Sequence, residues 1–221
     1  LPVKCFGSPE GSINVEADGG TEPYVYSLGI QSNNTGVFNN LTAGNYLITV
    51  TDASGCSTWT TATIAEPTAP LSATATATPT SCVGSSDGFA AVAPSGGIAP
   101  YTFTLGTFSN TTGIFDDLSA GVHTITVADA NGCSDVVDIT ITEPGSLLSA
   151  SATVENVKCF DGIDGTVTVS ATGGSGGYTY TLNGLTNTAG EFKNLSVGDY
   201  LIIVKDAAGC TTEVSATISG P

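Results

Sequence analysis

The sequence has no methionine and no arginine, one tryptophan, one histidine and four lysines. Twenty acids against four bases leave a formal charge of −16 at pH 7. So few cations exclude a nucleic-acid surface, which needs a basic footprint, and argue equally against an anionic membrane surface. Charged residues make up only 11% of the chain, against about 25% in an ordinary soluble domain. No apolar run approaches the roughly 20 residues of a membrane span, so no direct membrane insertion is expected. No signal peptide is visible at the start, LPVKC, and the chain reads as a processed or excised piece. With 40% hydrophobic residues, disorder is not expected.

Against these absences stands a strict internal repeat. Cys5, Cys82 and Cys159 are spaced 77 residues apart, as are Cys56, Cys133 and Cys210. The double glycines Gly19-Gly20, Gly96-Gly97 and Gly173-Gly174 keep the same shift. So do Tyr24, Tyr101 and Tyr178, and Phe38, Phe115 and Phe192. Three units are expected, 1–67, 68–144 and 145–221, the first short by ten residues at its start. They read as a window on a longer array. A period of 77 is too long for a solenoid coil of about 20–45 residues and suits small domains in series.

Each unit alternates with a period of two. Ile13, Val15 and Ala17 are expected on one face of a strand, and Tyr46, Ile48 and Val50 on one face of another. Ala73, Ala75 and Ala77 alternate with threonines in a first strand that unit one lacks. Double glycines and the runs Thr42-Ala43-Gly44 and Asp52-Ala53-Ser54-Gly55 mark turns. No helical period appears. The fold class expected is all-β: three tandem immunoglobulin-like antiparallel β-sandwich domains of six or seven strands each. Leu41-x-x-Gly44-x-Tyr46 is similar to the tyrosine corner of such sandwiches. His123 stands where the other units keep Tyr46 and Tyr200, and reads as a corner residue with a hydrogen-bonding tip.

The cysteines are expected to form one intradomain disulfide per unit: Cys5 with Cys56, Cys82 with Cys133, Cys159 with Cys210. A loop of about 52 residues closed in this way is worth roughly 4 kcal/mol in the chain-entropy model. No CxxC motif favours zinc or catalytic thiol chemistry.

Catalysis is not expected. One histidine serves three similar units, and the middle unit has neither Lys nor Arg. Two sets of acids recur. Glu10, Asp87 and Asp164 precede a glycine after the first cysteine; Asp52, Asp129 and Asp206 open the turn before the second. Ordinary turn chemistry accounts for Asp followed by Gly three residues later. A Ca²⁺ site of carboxylates and carbonyls at a junction is the sharper reading, with Asp161 and Asp164 in its most calcium-like stretch. Trp59 replaces Val136 and Glu213 of the other units, and its parity points it outward as a candidate contact anchor.

Taken together, each unit reads C-x-G/D-x-x-[ED]-G, then GG-x-x-x-Y-x-[YF]-x-L, then G-x-F-x-x-L-x-x-G-x-[YH]-x-I-x-V-x-D-A-x-G-C. This resembles the SprB repeat of very large Bacteroidota cell-surface adhesins, most closely in GGIAPYTFTL, LSAGVHTITVADANGCS and TITEP of the middle unit. The third unit departs at Gly177, where the others have Pro23 and Pro100, and at Ser219-Gly220-Pro221. The resemblance implies an extracellular, outer-membrane-attached adhesin exported by the type IX system, some members of which move along the surface in gliding. The function it suggests is a structural stalk that holds an adhesive part away from the cell, its partners being neighbouring repeats. Alternatives are a multivalent module for polysaccharide or surfaces and a filament self-assembling by β-strand addition.

Overall fold

The structure is a computed structural model describing residues 1–221. Its regular elements are all β-strands. The first repeat contains β1 (Gly11–Asn14), β2 (Val25–Leu28), β3 (Gln31–Asn33), β4 (Val37–Leu41), β5 (Gly44–Thr51) and β6 (Ser57–Ile64). The second contains β7 (Ser72–Thr78), β8 (Gly88–Ser95), β9 (Thr102–Leu105), β10 (Phe108–Asn110), β11 (Ile114–Leu118), β12 (Gly121–Ala128) and β13 (Ser134–Ile141). The third contains β14 (Ser149–Glu155), β15 (Gly165–Thr172), β16 (Thr179–Leu182), β17 (Leu185–Asn187), β18 (Glu191–Leu195), β19 (Gly198–Lys205) and β20 (Thr211–Ile218).

Each repeat holds two sheets. The larger runs β3-β2-β5-β6, β10-β9-β12-β13 or β17-β16-β19-β20; the smaller runs β1-β4, β11-β8-β7 or β14-β15-β18. Period-two alternation builds the core between them. In β5, Ile48 and Val50 are buried and Leu47 is exposed. With Tyr26 and Ile64 they meet Ile13, Phe38 and Leu41 of the smaller sheet. In the third repeat Val167, Val169 and Phe192 meet Tyr180, Ile202, Val204 and Ile218 in the same way. The short strands β3, β10 and β17 were not foreseen in the alternation. Two-residue turns create them: β2 returns at Gln31 opposite Leu28, and Asn183-Gly184 turns with positive φ at both residues, as tight hairpins require.

The corner prediction holds in all three repeats. The hydroxyls of Tyr46 and Tyr200 donate to the carbonyls of Thr42 and Ser196, at 2.8 and 2.9 Å. His123 Nε2 takes the same place, 2.8 Å from the Ser119 carbonyl. Gly11, Gly88 and Gly165 open their strands tight against the end of the final strand. A Cβ on Gly165 would lie 2.8 Å from the Leu195 carbonyl oxygen and 2.9 Å from Ile218, so no side chain fits there.

By spatial contact the chain divides into two compact units. One comprises Leu1–Ala75, Val92–Gly113 and Thr124–Asp138; the other comprises Thr76–Ala91, Ile114–His123 and Ile139–Pro221. Each contains one disulfide.

Those disulfides correct the sequence expectation. Cys5 pairs with Cys133 and Cys82 with Cys210, while Cys56 and Cys159 are free and exposed. No pair is internal to a repeat. Strand direction explains why. Val3 N–H donates to the Ala65 carbonyl and Gly7 N–H to Glu66, so Cys5 lies at the end where β6 finishes and β5 begins. Cys56 follows the other end of β5, after Thr51 meets Ser57. Eight residues at about 3.3 Å each put roughly 25 Å between those ends. A disulfide needs Cα atoms within about 7 Å. The loop carrying Cys5 therefore lies at the wrong end of β5 to reach Cys56, and the expected intradomain pairs cannot form.

Candidate functional site at the repeat junctions

The recurring residues converge on the junctions where one repeat meets the next. In one unit Cys5 joins Cys133 with Cα atoms 5.6 Å apart; in the other Cys82 joins Cys210 at 5.7 Å. Both bonds span 128 residues, so each links the first cysteine of one repeat to the second cysteine of the repeat after it. Beside the bonds, Asn131 Nδ2 donates to the Lys4 carbonyl at 2.9 Å. Cys210 Sγ lies 3.4 Å from the Ser81 carbonyl, the residue equivalent to Lys4. Pro144, Leu147, Leu148 and Gly174 line a small cleft against Cys82 and Val83.

The first acid set shapes the loop that carries the first cysteine. The backbone N–H groups of Lys4, Ser81 and Lys158 donate to Glu10, Asp87 and Asp164, at 2.9, 3.0 and 3.2 Å. The hydroxyls of Ser8 and Ser85 add bonds to Glu10 and Asp87. These donors favour the charged carboxylate. The Lys4 N–H, with Ser8, holds Glu10 below its ordinary value, and bonds from Ser81 and Ser85 hold Asp87 down at about 2. Asp161 has a positive φ of 56°, matching Gly7 and Gly84 at the same turn position. In the first two repeats that N–H donates to Glu66 or Glu143. The third repeat carries Gly220 at the glutamate position, so Asp161 faces no second carboxylate there.

The second acid set places the second cysteine. Asp52, Asp129 and Asp206 each accept the cysteine N–H at Oδ1, at 2.9 Å in every repeat. Their Oδ2 atoms accept N–H groups from the double-glycine turn: Thr21 at 3.0 Å, Ile98 at 2.9 Å and Ser175 at 2.8 Å. The expected type I turn is present, with Gly55, Gly132 and Gly209 N–H bonded back to the aspartate carbonyl. The Thr21 and Cys56 N–H groups lower Asp52. Burial alone would raise Asp206, which is 4% exposed, but N–H bonds from Ser175 and Cys210 outweigh it and leave the carboxyl lowered.

Each candidate acid is thus engaged by its own backbone or, for Asp161, spent on a turn. The structure brings no three His, Cys, Asp or Glu side chains together as a metal-binding group. Trp59 is 69% exposed on β6, as its parity implied. It borders a groove of about 390 Å³ lined by Ile13 to Asp18 and Thr58 to Ala62. The corresponding space in the third repeat holds β14, which pairs with β15 and packs on β20. Val15 and Ala62 are only half-buried beside the groove, whereas their equivalents Val92, Val169, Ile139 and Ala216 are buried.

Two recurring contacts escaped the sequence reading. The hydroxyls of Tyr24, Tyr101 and Tyr178 donate to the first carbonyl of the double glycine, at 2.6 to 2.7 Å. Asn33, Asn110 and Asn187 accept the N–H of Gly36, Gly113 and Gly190. Their 77-residue recurrence was the available signal.

No curated protein matches the sequence. In structure, the chain is similar to the N-terminal eight Ig domains of Down Syndrome Cell Adhesion Molecule, with 14% identity and a TM-score of 0.42, over 98% of this chain and 34% of that one. It thus spans about a third of that protein's solved length. Three N-terminal domains of the bacteriophage RB49 Highly Immunogenic Outer Capsid protein align at 17% identity and 0.33, over 98% and 95% of the two chains. The S-layer protein SbsC aligns at 13% and 0.32, over 90% and 35%. Scores this low establish neither kinship nor function. In sequence, residues 2–29, 74–109 and 151–187 match the SprB repeat, in the register that the cysteines keep. Three regions of this chain, one in each repeat, thus match the SprB repeat, consistent with a Bacteroidota-type cell-surface adhesin.

Proposed function

We propose that the chain is a stalk segment of a large surface adhesin, built from three immunoglobulin-like sandwich domains at 1–67, 68–144 and 145–221. The observation that supports it most is the disulfide pattern. Each bond ties one repeat to its neighbour instead of closing a repeat on itself. Such bonds stabilise the connection between domains, which a load-bearing spacer needs and an isolated binding module does not. The acids that recur in register serve those same junctions. In the test, further copies of residues 68–144 are added in series and measured by small-angle scattering. A stalk gains a constant increment in maximum dimension per repeat and is not retained on immobilised polysaccharide. Retention by the repeats themselves would favour a multivalent binder.

The groove beside Trp59 favours a second reading, β-strand addition. β1 pairs with β4 alone, whereas β8 and β15 also pair with β7 and β14. A peptide of residues 72–78 or 149–155 supplied in trans would dock there. Trp59 is the sole tryptophan, so its fluorescence reports docking directly. An unchanged emission spectrum at saturating peptide contradicts this reading.

A further inference from the structure

The two free cysteines are not equivalent. Cys159 aligns with Cys5 and Cys82, which bond forward to the following repeat; Cys56 aligns with Cys133 and Cys210, which bond backward. We propose that Cys159 and Cys56 are the two open halves of the same junction, and that Cys159 forms a disulfide with the second cysteine of an SprB repeat placed in series after it. The inference rests on the disulfide register and stands whether or not the array is a stalk.

Both open halves already have the backbone setting of the bonded ones. Gly162 N–H donates to the Cys159 carbonyl at 2.9 Å, as Ser8 and Ser85 N–H do to Cys5 and Cys82 at 3.1 Å. Lys158 N–H is held by Asp164 as Lys4 and Ser81 are by Glu10 and Asp87. At the other half, Cys56 N–H is held by Asp52 as Cys133 and Cys210 are by Asp129 and Asp206. What differs is cover. The four bonded cysteines are half-buried, whereas Cys56 and Cys159 are exposed. Beside Cys159, Phe160 is 84% exposed, while its equivalents at the formed junctions are more covered, Phe6 at 47% exposed and Val83 half-buried in its cleft. An apolar side chain and a thiol are therefore presented together on a preformed loop.

Formation needs an oxidant, and a small-molecule disulfide such as glutathione disulfide supplies it. The Cys159 thiolate attacks one sulfur and releases one glutathione thiolate, leaving a mixed disulfide. The second protein thiolate then displaces the other glutathione. Two protein thiols are oxidised, one small disulfide is reduced to two thiols, and the two protons pass to the released glutathiones.

The test extends the full chain by a second copy of residues 145–221 placed directly after Pro221, which preserves the register. After refolding in a glutathione redox buffer, free thiols are alkylated and the non-reduced peptides mapped. The expected result is that Cys159, fully alkylated in the unextended chain, becomes protected and joined to the added copy's equivalent of Cys210. Two thiols then stay free: Cys56 and the added first cysteine. Cys159→Ser in the longer chain should leave three free, the added second cysteine among them. Persistence of the Cys82–Cys210 bond confirms folding in either case. The proposal is overturned if Cys159 still alkylates, if the added cysteines bond to each other, or if Cys159 instead bonds to Cys56 of another molecule. A mirror test adds residues 68–154 ahead of Leu1 and should protect Cys56 against the first cysteine of the added segment.

Discussion

A single cut in the backbone anywhere between Cys5 and Cys210 should leave the two ends of the chain covalently joined. The reason is the overlap of the two bonds: Cys82 lies inside the loop closed by Cys5–Cys133, and Cys133 lies inside the loop closed by Cys82–Cys210. Every segment between those four residues therefore has a covalent bypass. Gly145 suits a protease recognition insert, because an added Cβ there meets nothing within 4 Å and the nearby Leu147 is 66% exposed. Cutting there divides the 22.0 kDa chain into pieces of about 14 and 8 kDa, in proportion to their lengths. On a non-reducing gel the cut protein should still run as one 22.0 kDa species and should separate only when reduced. Cys82→Ser should release the smaller piece without reductant, and Cys5→Ser should not. Disulfides closed within each repeat would give separation in all cases, because no bond would cross residue 145. Release of the fragment from the unreduced, unsubstituted chain would refute the junction pairing. The same bonds carry stability: a loop of roughly 130 residues is worth up to about 5 kcal/mol in the chain-entropy model, with the second, overlapping loop adding less. Reduction should accordingly lower the melting temperature.

Four further outcomes are expected. Asp206→Asn places an amide against two N–H donors and should cost about 1–3 kcal/mol, read as a lower midpoint in urea. The lowered carboxyls of Glu10, Asp52, Asp87 and Asp206 contribute stability above their unfolded values near 4, and that contribution is lost as pH falls through the folded values, about 2 for Asp87; melting temperature between pH 5 and 2 should fall more steeply for the parent chain than for Asp206→Asn. Gly165→Ala forces a methyl onto the Leu195 carbonyl oxygen and Ile218 and should destabilise by about 1–3 kcal/mol, whereas Gly145→Ala should change nothing in the same melt. Because the recurring acids are already engaged by N–H donors, chelator should leave the melting temperature unchanged, and a drop of several degrees on calcium removal would instead place a metal at the junctions.

Strand content was legible because side-chain alternation and burial are the same physical fact. Ile48 and Val50 went inside and Trp59 outside by parity alone. The tyrosine corner was legible because it is local, four residues from hydroxyl to carbonyl, and it even survived the exchange of Tyr for His123. The aspartate turns were half legible: the turn itself showed in Asp and Gly spacing, but the partner that fills Oδ2 is 31 residues away in the double-glycine turn. The cysteine pairing was not legible for a stricter reason. In a perfect repeat, a partner 51 residues ahead and one 128 residues ahead are offset by one period, so spacing cannot separate them. Only strand direction can, since it sets the two cysteines of a repeat at opposite ends of β5.

The most direct test of this account is a disulfide map of the oxidised chain, alkylated before digestion and read by mass spectrometry without reduction. The account predicts cross-linked peptides joining Cys5 to Cys133 and Cys82 to Cys210, with Cys56 and Cys159 alkylated. Peptides joining Cys5 to Cys56, Cys82 to Cys133 and Cys159 to Cys210 would contradict it.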